Sequence, residues 1–383
     1  MEESLPALLE YADLESDSVV RAAALRSLEA HLEFMLPDGG WDNSWGTRSY
    51  KWTYWGSRTS DGALAALLGA SRKQPAFWTA AQRHLKLLRA CTADGLLYGG
   101  PHLHLSGVPA CVHHTFTHAK VLVDALRFLE TNPGVTPAPL PREKAQGVTS
   151  FPELATWLAA SGPWRATVTR YDWIYGEPHR TWHATGGALA LLWHPRTGPL
   201  FVSSLAKYVP VEPNNMQAPP PIDFPLTPRV EELVDGQRFS NLCDLSATAH
   251  PIEREGGSEF KVEAALCDDT GKPSGTRVEL RYILTPEQAV ISARRLTPPQ
   301  GGRLTRLVLP LVSPPGEKLE RPAKTVLVLH KPKCSVKVQT SHFLESPVDT
   351  APRVFNLVPG FAAVPISLAL SGQEEASCRL AVY

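Results

Sequence analysis

The sequence carries no net charge, no paired-cysteine motif and no long apolar run. Lys and Arg total 38, matched by 38 Asp and Glu, so no global field draws the chain to nucleic acid or to an anionic membrane, and neither is expected as a partner. An anionic ligand would have to be met by local cations. The longest apolar stretch, around Ala184 to Trp193, falls far short of the roughly 20 residues of a membrane-spanning helix. The first residues, Met1-Glu-Glu-Ser, lack a basic segment leading into an apolar one, so no secretion signal is read there. Cys91, Cys111, Cys243, Cys267, Cys334 and Cys378 show no CxxC spacing, which argues for buried thiols over a disulfide framework or zinc ribbon. GxSxG, P-loop and GxGxxG patterns are missing, removing the serine hydrolase, NTPase and dinucleotide readings. Tryptophan is absent after Trp193. All ten lie between Trp41 and Trp193, and eight of 13 His lie between His102 and His194.

What is present has two textures. Residues 16–35 place Val19, Ala23, Leu25, Leu28, Leu32 and Met35 near helical spacing behind Ser/Asp caps, and Asp38-Gly39-Gly40 stops that helix. Further helices are predicted at about 61–72, 76–91 and 113–129, with a last short one over Phe151–Ala160 and a Pro-rich linker over 132–148. From Trp164 onward the period changes to two, in runs such as 165–169, 277–283, 289–293, 305–312, 325–330 and 377–383. The expected architecture is α+β and multidomain. Helical hairpins over 1–160 form a partial (α/α) toroid, since about five helices are too few to close a ring, and a large antiparallel β-sandwich follows over 161–383.

Three segments concentrate chemistry-bearing side chains. In 41–58, Trp41, Trp45, Trp52 and Trp55 alternate with Tyr54, Asn43, Arg48, Lys51 and Arg58. Packing of the rings onto the helices explains such a loop as well as a binding role does. The binding role would stack indoles on sugar faces while Arg grips a carboxylate or sulfate. His113 and His114 open a helix, where the positive end keeps an imidazole neutral and able to act as a base; a cap or a packed side chain is the plainer role. In 170–183, Tyr171 and Tyr175 stand among Arg170, Arg180 and His183. A Tyr beside an Arg can exchange a proton at reduced pKa, although edge-strand aromatics often do nothing more than pack. His183 and His194 could hold a divalent metal in the β part, satisfied core histidines being the commoner case; no cofactor is otherwise expected. No Asp/Glu pair of the kind used in glycoside hydrolysis is singled out.

The Asn-and-Trp loop, the His pair at a helix start and the Tyr/Arg/His junction before an all-β half together resemble the polysaccharide lyases built from an (α/α) toroid and an antiparallel β-sandwich, the heparinase II/III-like group. Members usually have more helices before the loop, and export to the periplasm or outside the cell. The resemblance implies β-elimination on a uronic-acid polysaccharide. His113 or His114 would work with Tyr54 or Tyr171 on the C5 proton and the leaving oxygen, while Asn43 and Arg58 neutralise the carboxylate. It also implies Trp41, Trp45, Arg48, Trp52, Trp55, Tyr175 and His183 as substrate contacts. A non-catalytic carbohydrate-binding remnant and a glycoside hydrolase on a helical toroid are the alternatives. Oligomeric state is not legible.

Overall fold

The first long helix begins where Asp17 accepts hydrogen bonds from the backbone N–H groups of Val19 and Val20 at 2.9 and 3.0 Å, an N-cap that satisfies two otherwise orphaned donors. The computed structural model describes residues 4–42, 44, 63–72, 74–110, 112–131, 135–171, 183–209, 222–299, 301, 303–348, 352–370, 372 and 374–383. It divides into two compact units: Met1–Asn43 with Trp52–Ala145, and Ser44–Lys51 with Gln146–Tyr383.

The first unit holds α1 (Leu5–Leu14), α2 (Ser18–Phe34), α3 (Ala63–Ala70), α4 (Pro75–Ala90), a two-stranded hairpin of β1 (Thr92–Ala93) and β2 (Leu96–Leu97), α5 (Val112–Thr131) and the short α6 (Pro141–Lys144). α1 packs on α2 and α3, and α3 packs on both α4 and α5. α4 turns Phe77, Ala80, Ala81, His84, Leu87 and Leu88 inward, the spacing of a helix with one apolar face. α5 is apolar on two sides. Val121 and Ala125 are buried, while Phe116 is 72% and Leu126 60% exposed.

The second unit is antiparallel throughout its described pairings. β3 (Gly147–Phe151), β4 (Thr156–Ser161), β5 (Trp164–Thr169), β6 (Ala188–His194) and β7 (Gly198–Val202) form a five-stranded meander. A larger sheet of 13 strands comprises β8 (Arg229–Val234), β9 (Gln237–Ser240), β10 (Thr248–Arg254), β11 (Gly257–Cys267), β12 (Pro273–Leu284), β13 (Ala289–Arg295), β14 (Thr305–Val312), β15 (Lys318–Ala323), β16 (Val326–Lys331), β17 (Cys334–Thr340), β18 (Val354–Asn356), β19 (Phe361–Ala369) and β20 (Ala376–Val382). Its order is β15-β16-β17-β20-β13-β12-β11-β9-β8-β14-β19-β18, with β10 also paired to β11. Val168, Leu192 and Phe201 of the meander share one apolar core with Val262, Leu280 and Leu309 of the larger sheet. The two sheets therefore face each other, each turning alternate residues inward.

The coarse expectation of a helical part followed by a large antiparallel β part matches this architecture. One element is corrected. Residues 151–160, predicted as a helix, form the end of β3, a single tight turn and most of β4. Glu153, Leu154 and Ala155 favour a helix locally, but pairing of Trp157 with Ser150 and Val168 on either side overrides that weak preference.

The β11–β12 hairpin closes at Asp268, whose Oδ1 accepts from the N–H groups of Thr270 and Lys272, both at 2.9 Å. Just past this turn the pairing shifts between Ala265 and Cys267. The wholly buried Thr276 sits in the bulge, and its hydroxyl donates to Glu232 Oε2 on β8 at 3.1 Å.

Candidate functional site

In the helical unit, a tight turn places the first sequence-predicted residue. Gly39 has φ +93°, and a Cβ there would come within 2.3 Å of the Arg83 carbonyl oxygen, so only glycine lets the turn lie against α4. Asp38 Oδ1 accepts from Gly40 N–H at 3.1 Å. The chain then enters Trp41, which is 3% exposed. Its indole N–H donates to the His31 carbonyl at 2.9 Å, and its ring lies 5.0 Å from the His84 ring. Trp41 is thus a packed residue of the helical core here.

His84 is fully buried, and burial followed by the neighbouring His118 pushes its pKa down to about 3, against which a backbone contact to Gly39 acts only weakly. His118, 3% exposed, also lines a cavity of about 640 Å³ between α4, the β1–β2 hairpin and α5, with Leu85, Leu88, Leu97 and Leu122 as apolar walls and Lys86 and Arg89 among the polar ones. The Trp41–His84–His118 grouping was not singled out from the sequence. His84 offered only one signal, its place on the apolar face of α4. His113 and His114 fall in the first turn of α5; their side chains lie outside the described residues.

In the β unit, Tyr171 and His183 come together. The His183 Nε2 is 2.7 Å from the Tyr171 backbone oxygen, and the two rings are 5.5 Å apart. Tyr171 is 8% exposed, and its N–H donates to Thr169 Oγ1 at 3.0 Å. Thr169 Oγ1 in turn meets Thr156 Oγ1 at 2.9 Å.

The return from His183 into β6 is held by Gly186 and Gly187, both at positive φ. A Cβ on Gly186 would sit 1.7 Å from the Asn241 carbonyl oxygen, and one on Gly187 would sit 2.4 Å from a Val262 methyl. Asn241 Nδ2 donates to the Gly186 carbonyl at 3.3 Å, and the buried Tyr282 hydroxyl donates to the Gly187 carbonyl at 3.0 Å. Asn241, in the turn just past β9, and Tyr282 on β12 therefore fix the backbone that leads from His183 into β6.

His194 has a structural setting. Its ring lies 4.8 Å from Trp164, its Nδ1 accepts from Arg196 N–H at 3.2 Å, and burial followed by the Arg196 charge lowers its pKa to about 4. Among the described residues no three His, Cys, Asp or Glu side chains are grouped to hold a metal ion, and no helix is long and apolar enough to cross a membrane. The remaining sequence-predicted residues, Asn43, Trp45, Arg48, Trp52, Tyr54, Trp55, Arg58 and Tyr175, lie outside the described residues.

Comparison with known proteins supplies the class. Residues 148–383 match the family described as the ulvan lyase C-terminal domain, and residues 1–143 match the ulvan lyase N-terminal domain. The chain is also 40% identical over 370 residues to the broad-specificity ulvan lyase of Formosa agariphila, covering 96% of this chain and 58% of that protein. The chain belongs to the ulvan lyase family, a family of polysaccharide lyases, and spans 58% of the length of this curated relative.

Among solved structures, it is similar to a 4-alpha-glucanotransferase from Thermococcus litoralis at 14% identity, with 84% of this chain and 49% of that chain covered and a TM-score of 0.40. The Streptomyces coelicolor chondroitin AC lyase gives 11% identity, 98% and 59% coverage and a TM-score of 0.37. A Paenibacillus xanthan lyase gives 11% identity, 97% and 42% coverage and a TM-score of 0.34. Likenesses this loose carry no argument about fold or chemistry.

Proposed function

We propose that this protein cleaves an ulvan-type acidic polysaccharide by β-elimination. The observation that carries the reading is the 40% identity, running through almost the whole chain, to a broad-specificity ulvan lyase. The helical unit is read as part of an (α/α) toroid of the heparinase II/III-like kind, a reading supported by the packing of α1 on α2 and of α3 on α4 and α5, and the facing sheets as the accompanying β-sandwich.

Elimination asks for little beyond donors and a base. The C5 proton of a uronate is poorly acidic until its carboxylate is neutralised, so Asn43 and Arg58 are assigned to hold that group as negative charge develops on it. His113 or His114 then removes the proton, and Tyr54 or Tyr171 protonates the O4 leaving group. Trp41, Trp45, Trp52, Trp55, Arg48, Tyr175 and His183 are assigned to substrate binding. The packed position of Trp41 gives it an indirect share at most.

The reading is tested by incubating the protein with ulvan and following the ultraviolet absorbance of the conjugated unsaturated uronate. Growth of that band is expected. Reducing ends without the band would turn the reading to hydrolysis, and neither signal would leave a binding protein. No cofactor enters the proposed reaction, so a chelator is expected to leave the rate unchanged. A rate lost to chelation and restored by a divalent cation would bring a metal into the mechanism.

A further inference from the structure

The outward face of the large sheet is cationic in a chain of zero net charge. On five neighbouring strands, β11, β12, β13, β20 and β17, the outward positions carry Lys261, Arg277, Arg281, Arg294, Arg379 and Lys337 against only Glu259, Glu263 and Glu279. Glu263 pairs with Lys261 at 2.8 Å and Arg277 at 3.7 Å, Glu259 with Arg281 at 3.6 Å, and Glu279 with three cations. Glu279 accepts from Arg281 at 3.0 Å and from Arg294 at 3.0 and 3.1 Å, and lies 3.3 Å from Lys261. These donors outweigh its desolvation and bring its pKa down to about 2. Lys337 and Arg379 are exposed and form no ion pair among the described residues.

Register makes the imbalance directional. Lys261 stands opposite Arg281, and Glu263 opposite Glu279, so between β11 and β12 like charges face each other and attraction runs along diagonals and along each strand, while Glu279 faces Arg294 directly on β13. Arg294 lies beyond Glu279 on β13, Arg379 pairs with Val290 on β20, and Lys337 pairs with Ala381 on β17. With about 4.8 Å between strands and about 3.3 Å per residue, Arg277, Arg294, Arg379 and Lys337 form an oblique file on the order of 30 Å long. Mutual ion pairing on a solvated sheet would call for similar numbers of each sign. An excess drawn out in a line fits a linear polyanion.

We propose that this file is an accessory binding surface for the acidic polysaccharide, separate from the groups assigned to the elimination. It rests on the proposed substrate class. It would hold the polymer by its carboxylate or sulfate groups, with a strength that falls as salt rises.

The test is affinity electrophoresis of the full chain through gels holding ulvan or neutral dextran. The wild type should be retarded by ulvan alone. The Lys337→Glu/Arg379→Glu variant should lose roughly fivefold of that affinity at low ionic strength, while Lys337→Arg/Arg379→Lys keeps it. Turnover of short ulvan fragments should be the same in all three. A charge-reversed variant that melts like the wild type and is retarded like it overturns the proposal. If that variant does not fold, Lys337→Gln/Arg379→Gln takes its place with the same criterion. Charge-dependent retardation without unsaturated product would sink the lyase reading and leave the surface standing. Cleavage with unaltered retardation of the variant would do the reverse.

Discussion

The two units treat their titratable groups differently. The helical unit buries titratable imidazoles and leaves apolar surface open: His84 and His118 are inside, while Phe116 and Leu126 on α5 are out. The β unit builds a continuous apolar core between two sheets and handles charge by pairing, buried at Arg229 with Glu231 and on the outward face at Glu279 with Arg281 and Arg294. The comparison teaches where each unit is rigid. Interlocked sheets with glycine close-packing tolerate little change in backbone. A helix apolar on both sides has one face held by packing and one that packing does not constrain.

The largest effect is expected at the glycine lock of the β unit. Gly186→Ala must push its Cβ into the Asn241 carbonyl and should cost about 3 kcal/mol or more. Gly236→Ala, also at positive φ but with open space around it, should cost about 1 kcal/mol. Chemical denaturation of both variants measures the contrast, and similar losses would mean that the close approach does not matter.

Next is catalysis. Replacing whichever of His113 and His114 is the base should lower turnover roughly 10²-fold or more while polysaccharide binding persists. If His113→Ala and His114→Ala both retain full activity, the assignment passes to Tyr171.

Acid should separate the units. His84 has a folded pKa of about 3 against an ordinary 6.5, so the unfolded chain takes up its proton first. The stabilisation is present above pH 6.5 and is lost as pH falls from 6.5 toward 3. Glu279 has a folded pKa of about 2 against 4.5, so its contribution holds above pH 4.5 and fades from there toward 2. His194, with a folded pKa of about 4, costs the β unit nearly as much between pH 7 and 5, but the helical unit also holds His31, whose pKa burial lowers, and so carries two such imidazoles against one. Limited proteolysis between pH 7 and 5 should therefore open 1–145 before 146–383. First cuts inside the β unit would contradict the burial argument.

The smallest effect is expected on α5, where Phe116→Gln and Leu126→Gln should change stability by no more than about 0.5 kcal/mol. In the core shared by the sheets, Leu192→Ala should cost about 2–5 kcal/mol. Thermal melts read both, and a large loss on α5 would mean that its open face is packed in solution.

Much of this was legible in the sequence, unevenly. The strands read from alternation at 277–283 and 305–312 lie within β12 and β14, and 325–330 meets β16 but for Thr325, because one-sided burial writes itself as period two. Helix α1 left no such trace. Leu8, Tyr11 and Leu14 are exposed among its apolar residues, so no clean stripe exists to be read. The Tyr171–His183 meeting joins residues that the sequence had marked as one segment. The Trp41–His84–His118 grouping depends on a turn packing against α4 across more than 40 residues, and neither spacing nor composition records that. The charge file was invisible for a similar reason, since its order follows from strand register.

That register has a consequence for how the chain folds. Without the bulge near Ala265, the pairing of Cys267 with Pro273 would continue down the hairpin and set Lys261 opposite Glu279, Glu263 opposite Arg277 and Glu259 opposite Arg281. The same residues would still turn inward. The native arrangement is thus locally frustrated on its surface, and the hairpin has a rival alignment that its own charges prefer. What favours the native one is the bulged Thr276 reaching Glu232 on β8, a strand from an earlier part of the chain. The hairpin's final alignment is accordingly a collective decision, taken when β8 docks, and a peptide of residues 257–284 alone should settle in the other register.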